Sequence, residues 1–189
     1  MILLVFATEM ERDGVFPHGV PREFDCLVTG VGILATAFSL SRAFQKQEYK
    51  SAIQIGIAGA YTSSELQLGE VVEVKSDCLV EFLPWEPNTF FASGTLPNQN
   101  NSQTLKTVKG ATVLGCSSSI TKEIEAARGD VAQIETMEGA AFFAACKEYK
   151  VEGVQIRAIS NFATKYEKTE WKTEEALAKL REFLLPILG

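Results

Sequence analysis

Histidine is almost absent from this chain: a single residue, His18, stands in the turn-like run Pro17-His18-Gly19. That scarcity excludes much chemistry at once. A serine hydrolase triad would have to use His18, and a zinc site made of histidines and cysteines has too little to build from. Cysteine is sparse as well. Cys26, Cys78, Cys116 and Cys146 lie far apart, with no C-x-x-C pair. They are expected to be reduced structural thiols in a reducing compartment. Positive charge is in deficit: 18 Lys and Arg stand against 24 Asp and Glu, a formal net charge of −6. A surface of that sign repels phosphate backbones, so nucleic acid is not an expected partner. No long hydrophobic run is present either. The apolar start Met1–Ala7 meets Glu9, Glu11, Arg12 and Asp13 at once. It is too short to span a membrane and lacks the basic flank and cleavage site of a leader. It reads as a first buried strand, and the protein as cytoplasmic with no membrane partner. Two nucleotide motifs are missing. There is no P-loop lysine, and Gly30-Val31-Gly32 runs on to Ala35 without completing G-x-G-x-x-G. No cofactor and no metal are expected.

What is present is ordinary globular composition, 46% hydrophobic and 22% charged over 189 residues. That length suits one domain over residues 1–189. Short apolar runs alternate with longer periodic stretches. Strands are expected at Met1–Ala7, Cys26–Thr29, Ser51–Gly56 (ending in a glycine turn), Glu70–Val80, Ala111–Cys116, Val131–Glu135 and Gly153–Ile159. Helices are expected at Ile33–Gln47, Ile120–Ala127, Glu138–Tyr149 and Thr173–Leu185. Phe82–Asn101, rich in proline, asparagine and aromatics, reads as a loop excursion that either lines a ligand site or plugs a core edge. The alternation predicts an α/β fold: three layers, αβα, around a central mixed, largely parallel sheet. In such sheets ligands bind beyond the carboxyl ends of the strands. That rule selects Thr8–Glu11, Gly30–Gly32, Gly56–Tyr61, Thr136–Glu138 and Ser160–Ala163.

Four of these places could carry chemistry. Gly56-Ile57-Ala58-Gly59-Ala60 would let a ligand approach the backbone closely. Glu138 opens an apolar helix, where free amides favour an ionised carboxylate. It reads either as a helix cap or as an acceptor for two vicinal hydroxyls. Glu11 reads either as a solvated loop charge or as a general base in a cleft. Arg157-Ala158-Ile159-Ser160-Asn161 ends a strand. Its Asn161 is either a turn former or a side chain matched to the edge of a purine.

The order of these pieces resembles the nucleoside phosphorylase and nucleosidase superfamily. Ala7-Thr8-Glu9-Met10-Glu11, Gly30-Val31-Gly32, Gly56-Ile57-Ala58-Gly59-Ala60, Gly69-Glu70-Val71-Val72, Thr136-Met137-Glu138-Gly139-Ala140-Ala141 and Arg157-Ala158-Ile159-Ser160-Asn161 carry the resemblance. It implies a small-molecule nucleoside substrate and a homo-oligomer, a dimer or larger. It also implies roles. Glu11 would help activate the attacking water, and Glu138 would hold the ribose hydroxyls. Met137 would pack under the sugar, and Ala58 and Gly59 would line its pocket. Arg157 would stand near the water, with Ser160 and Asn161 at the base. Relatives that split adenine nucleosides have an aspartate where this chain has Asn161, and an amide there favours a 6-oxopurine. Phosphorolysis needs a cationic phosphate pocket. The arginines near strand ends are Arg12, Arg22 and Arg157, so water is the expected nucleophile. Within the superfamily the chain is most similar to the futalosine hydrolase family. It departs from many members after Asn161, where Phe162-Ala163-Thr164-Lys165 lacks their Gly-Pro-Arg turn. Methylthioadenosine/S-adenosylhomocysteine nucleosidase, purine nucleoside phosphorylase and a non-catalytic nucleoside-binding protein stay open beside it.

Overall fold

A computed structural model describes residues 1–80, 89–97, 105–113, 128, 130–163 and 171–188. In chain order the elements are β1 (Ile2–Phe6), α1 (Glu9–Val15), β2 (Phe24–Val28), α2 (Ile33–Lys46), β3 (Ser51–Ala60), β4 (Val71–Leu79), β5 (Thr89–Phe91), β6 (Lys106–Thr112), β7 (Ile134–Thr136), α3 (Gly139–Tyr149), β8 (Glu152–Phe162) and α4 (Thr173–Leu188). The expected α/β class and mixed sheet are both present. Parallel pairings join β1 to β2 and β3, β3 to β8, β4 to β6 and β6 to β7; antiparallel ones join β3 to β7, β4 to β5 and β4 to β8.

The sequence suggested a central mixed layer, and the mixed sheet goes further and closes on itself. Strands β3, β8, β4, β6 and β7 pair in turn, and β7 returns to β3, so five strands close into a ring. β3 makes this possible because it is long. Residues Ser51–Gln54 pair with β1, and on the same edge Gly59 and Ala60 pair with β7. Its apparent glycine turn is therefore strand: Gly56 and Gly59 lie within β3. A register shift at Ala58/Gly59 leaves Ser160 of β8 without a partner in the ladder. Such a bulge adds twist and re-aims the residues that follow it.

Helices pack on two sides of this sheet, each for a reason visible in the sequence. In α2, Thr36, Leu40 and Phe44 are buried at a spacing of four. α3 is apolar nearly throughout, buried from Gly139 to Phe143, and ends at Lys150 in the left-handed region (φ 56°). Side chains of α2 and α3 share one core with β3 and β4. Leu177, Leu180 and Leu184 of α4 share the other with Val15 of α1 and with β1 and β8.

The structure corrects several boundaries. The sequence reading missed α1, although Thr8-x-x-Glu11 is a capping-box pattern and both of its hydrogen bonds form. Thr89–Phe91, assigned to a loop, is an edge strand on β4. The strand expected at Ala111–Cys116 is centred earlier, as β6, and β7 begins at Ile134. The helix expected at Ile120–Ala127 lies outside the described residues. Among the described residues, no helix is long and apolar enough to cross a membrane. His18 is an exposed turn residue. Cys26, Cys78 and Cys146 are free thiols, with Cys26 exposed and the other two buried; Cys116 lies outside the described residues.

Candidate active site

One cavity of about 220 Å³ opens where β1, β3, β7 and β8 end. Glu11, Ala58, Gly59, Met137, Glu138, Ser160 and Asn161 all line it. These residues come from four separate stretches of sequence, and the fold brings them together. Arg157, the remaining candidate, sits directly behind the cavity wall.

Glu11 is not a solvated loop charge. It is 4% exposed, at the third position of α1. Its Oε2 accepts from Thr8 N and Thr8 Oγ1, each at 3.0 Å, and its Oε1 accepts from Ile57 N at 3.1 Å. Burial raises the pKa of the carboxyl, and the Arg157 guanidinium, the Ile57 amide and the Thr8 hydroxyl work against that rise. The outcome is a carboxylate that holds its proton more readily than usual, which suits a group that must take a proton from water.

Arg157 is 1% exposed. Its Nε donates to Gln155 Oε1 at 2.9 Å and its Nη1 to Ile57 O at 3.4 Å. Nη2 stands 3.9 Å from Glu138 Oε2. Gly56 explains how guanidinium and carboxylate fit together. A Cβ at this position would lie 2.6 Å from both Arg157 Nη1 and Glu11 Oε1, so a side chain of any size would force the pair apart.

Glu138 occupies the N-cap position of α3, yet its side chain makes no capping hydrogen bond. Thr136 Oγ1 accepts from Gly139 N (3.1 Å) and Thr112 Oγ1 from Ala140 N (2.7 Å) instead. The Glu138 carboxylate is thereby released toward the cavity. Its Oε1 accepts from Gly32 N at 3.0 Å, bringing in the turn before α2. A carboxylate has about four acceptor positions, so capacity for two hydroxyls remains.

At the other end of the cavity the bulge sets Asn161. Ser160 Oγ donates to Asn161 Oδ1 at 2.8 Å and lies 3.3 Å from Ala58 O. With its oxygen so engaged, the amide offers its nitrogen. That Nδ2 lies 3.1 Å from where a Gly59 Cβ would stand, so Gly59 keeps the approach open.

Several lining residues had no assigned role in the sequence reading. Glu135, next to the quoted Thr136-Met137-Glu138, accepts from Tyr61 Oη at 3.1 Å and ion-pairs with Arg128 at 3.5 Å. Burial raises the pKa of the Tyr61 hydroxyl, with the negative Glu135 second, so it stays a donor. Met10, Val31 and Trp171 also face the cavity. Trp171 is the aromatic residue among the described lining residues; Phe90 packs against the core and Phe91 is exposed. Of the aromatics expected at the ligand, Phe82 and Trp85 lie outside the described residues. No lysine or arginine is among the described lining residues. Arg12 is spent on Asp13 and Glu9 at the surface.

Fold and cavity together define a protein that holds two buried carboxylates beside one small cavity. Residues 92–188 match the family described as Phosphorylase superfamily, and the chain belongs to it. Two curated relatives are futalosine hydrolases. The Thermus thermophilus protein is 30% identical, with the alignment covering 88% of this chain and 81% of the relative. The Streptomyces coelicolor protein is 26% identical, covering 96% and 86%. Among solved structures, a Helicobacter pylori 5′-methylthioadenosine/S-adenosylhomocysteine nucleosidase superposes with a TM-score of 0.82 at 15% identity, covering 98% of this chain and 96% of its own. Futalosine hydrolase of the same organism gives 0.80, also at 15%, covering 97% and 94%. At such identities the structures establish the fold.

Proposed function

We propose that the protein is an N-glycosidic hydrolase that cleaves futalosine into hypoxanthine and the dehypoxanthinyl product. The observation that carries this reading is the pair of buried carboxylates, Glu11 and Glu138, gathered around one guanidinium in a cavity whose far end displays the amide nitrogen of Asn161. Breaking the bond builds positive charge on the ribose and negative charge on the departing base. A site is useful to the extent that it meets those charges in the transition state.

Each residue then has a task. Glu138 accepts hydrogen bonds from the 2′ and 3′ hydroxyls, and its charge supports the cationic sugar. Met137 packs beneath the ribose, and Ala58 and Gly59 allow it close to the backbone. Glu11 orients a water and takes its proton. The oxygen of that water bonds to the anomeric carbon as the glycosidic bond breaks, and the electron pair leaves with the base. Arg157 keeps the two carboxylates apart and in place. Asn161 donates toward N7 and O6 of the leaving 6-oxopurine, in an orientation held by Ser160.

Curated relatives named futalosine hydrolase support the choice of substrate. Water is preferred to phosphate because no cationic side chain is among the described lining residues. The whole chain, residues 1–189, acts as one unit in this reading, in the cytoplasm and in the service of menaquinone biosynthesis. The active form is a homo-oligomer. An apolar strip, Val31, Leu34 and Phe38 with Met10 nearby, is more than half exposed beside the cavity mouth, and a second copy would cover it.

Product analysis with futalosine, inosine and methylthioadenosine, each with and without phosphate, tests the proposal. Hypoxanthine released from futalosine without phosphate is the expected result. Obligatory phosphate would make the protein a phosphorylase, faster release of adenine would make it an adenine nucleosidase, and binding without release would make it a carrier.

A further inference from the structure

The polar network does not stop at Arg157. Asp77 lies on β4, fully buried, on the far side of the start of α3. Its Oδ1 accepts from Thr112 Oγ1 at 2.7 Å, and the same Thr112 oxygen accepts from Ala140 N at 2.7 Å. Its Oδ2 faces Gly139. A Cβ there would come 2.0 Å from Asp77 Oδ2 and 2.8 Å from Gln155 Nε2. Gly139 is therefore the gap through which the Asp77 carboxylate and the Gln155 amide meet behind Glu138. Gln155 is itself fully buried, and its other end, Oε1, accepts from Arg157 Nε at 2.9 Å.

Such an arrangement calls for an explanation. A carboxylate without solvent is expensive to keep, and buried polar atoms are normally paired. Here Asp77 Oδ2, Gln155 Nε2 and Arg157 Nη2 reach hydrogen-bond geometry with no partner, though the Gln155 amide is near enough to favour the charged form of Asp77. A leucine or valine would serve the core better if packing were the only demand.

We propose that Asp77 is a positioning residue: through Gln155 it fixes the orientation of the Arg157 guanidinium between the two cavity carboxylates, Glu11 and Glu138. The glutamine amide has one donor end and one acceptor end. Negative charge at Asp77 draws the donor end toward β4. The acceptor end must then face β8 and take the Nε–H of Arg157. Without that charge the amide is free to invert, and inversion would set an N–H against an N–H at Arg157. The dipole of α3 favours the anion at Asp77. Among the described residues, the charged group acting on it is Arg157, and the adjacent Cys78 thiol, raised to about 11 by burial, stays neutral. Burial also raises Asp77 itself, to about 7. The orienting charge is thus gained as pH climbs through neutrality.

This inference rests on reading the cavity as a nucleosidase site, and the test separates the two. Base release by the unaltered protein is measured first, and no release from any nucleoside overturns the functional reading alone. Asp77→Asn is then expected to lower kcat about ten- to a hundredfold, the scale of a small misplacement of a catalytic group. KM should change less than about twofold, since the sugar and base contacts stay. The pH profile of kcat should lose the ionisation near neutrality. Gln155→Leu, which keeps Asp77, should reproduce the loss, and the double variant should be no slower than the worse single one. In nitrogen-labelled protein the Arg157 Nε–H resonance, assigned by its absence in Arg157→Lys, should shift and exchange faster in Asp77→Asn. This last readout needs no turnover. If either folded variant keeps the kcat, pH profile and arginine resonance of the unaltered protein, the inference is wrong. If Asp77→Asn does not fold, Gln155→Leu decides alone.

Discussion

The two ends of the cavity are built on different terms. At the inner end, Glu11, Arg157 and Glu138 are almost wholly buried and tied to main-chain groups from separate parts of the chain, Thr8, Gly32 and Ile57. At the outer end, Asn161 is half-buried and its amide oxygen is set by one side chain, Ser160, among half-covered apolar neighbours. The inner end fixes charges in space, which is where rate comes from. In the proposed reading the outer end would meet the edge of a base with one rotatable group. Changing the base read by such a site needs few steps, whereas moving a carboxylate at the inner end would require rebuilding several elements.

That contrast can be broken in graded ways. Glu11→Gln should have the largest effect, removing the proton acceptor while keeping the shape. A loss of about 10²–10⁴-fold in kcat is expected, read from initial rates of base release. In the unaltered protein the rate should rise with pH as Glu11 loses its proton above its ordinary range, and that limb should vanish in the variant. Gly56→Ala tests the closeness of the inner end. With both charged atoms 2.6 Å from the new methyl, the loss should be about 1–3 kcal/mol of stability, measured by denaturant unfolding, together with a fall in kcat. Asn161→Asp tests the outer end. It should shift kcat/KM toward adenine nucleosides by about tenfold or more while thermal stability holds, and an unshifted preference would refute the proposed reading of the base. A further effect concerns pH and stability. The Asp77 carboxyl is raised in the fold from 3.8 to about 7, so the folded state binds the extra proton between those values. Stability should decline as pH rises from about 4 to about 7, and in Asp77→Asn that decline should be shallower in melting curves.

How much of this was legible in the sequence divides along the same line. The ends of strands are local features, so Glu11, Glu138 and Ser160-Asn161 could be picked out by position. Which way their side chains point could not. Glu138 had the place of a helix cap, and only the hydroxyls of Thr112 and Thr136, one of them far away in sequence, free it from that duty. Ring closure was equally hidden, because a strand buried on both faces reads the same in an open layer as in a closed one. The Thr8-x-x-Glu11 pattern is readable as a capping box, and it places Glu11 on a helix. Thr89–Phe91 resisted because a short edge strand flanked by proline and asparagine carries a loop's composition. Asp77 gave no signal at all, since a lone acidic residue in an alternating strand looks like a solvent-facing position.

The hydrogen bond from Gly32 N to Glu138 has a consequence for reactivity with other anions. An amide proton can be offered to one occupant at a time. Here a side chain of the same molecule holds it, and a tethered group competes at a high effective concentration. Inorganic phosphate arriving at this turn would compete with a tethered rival, and would have to displace a carboxylate that Arg157 also attracts. Glu138 thus already occupies, in the wall of the cavity, an amide that an incoming anion would need.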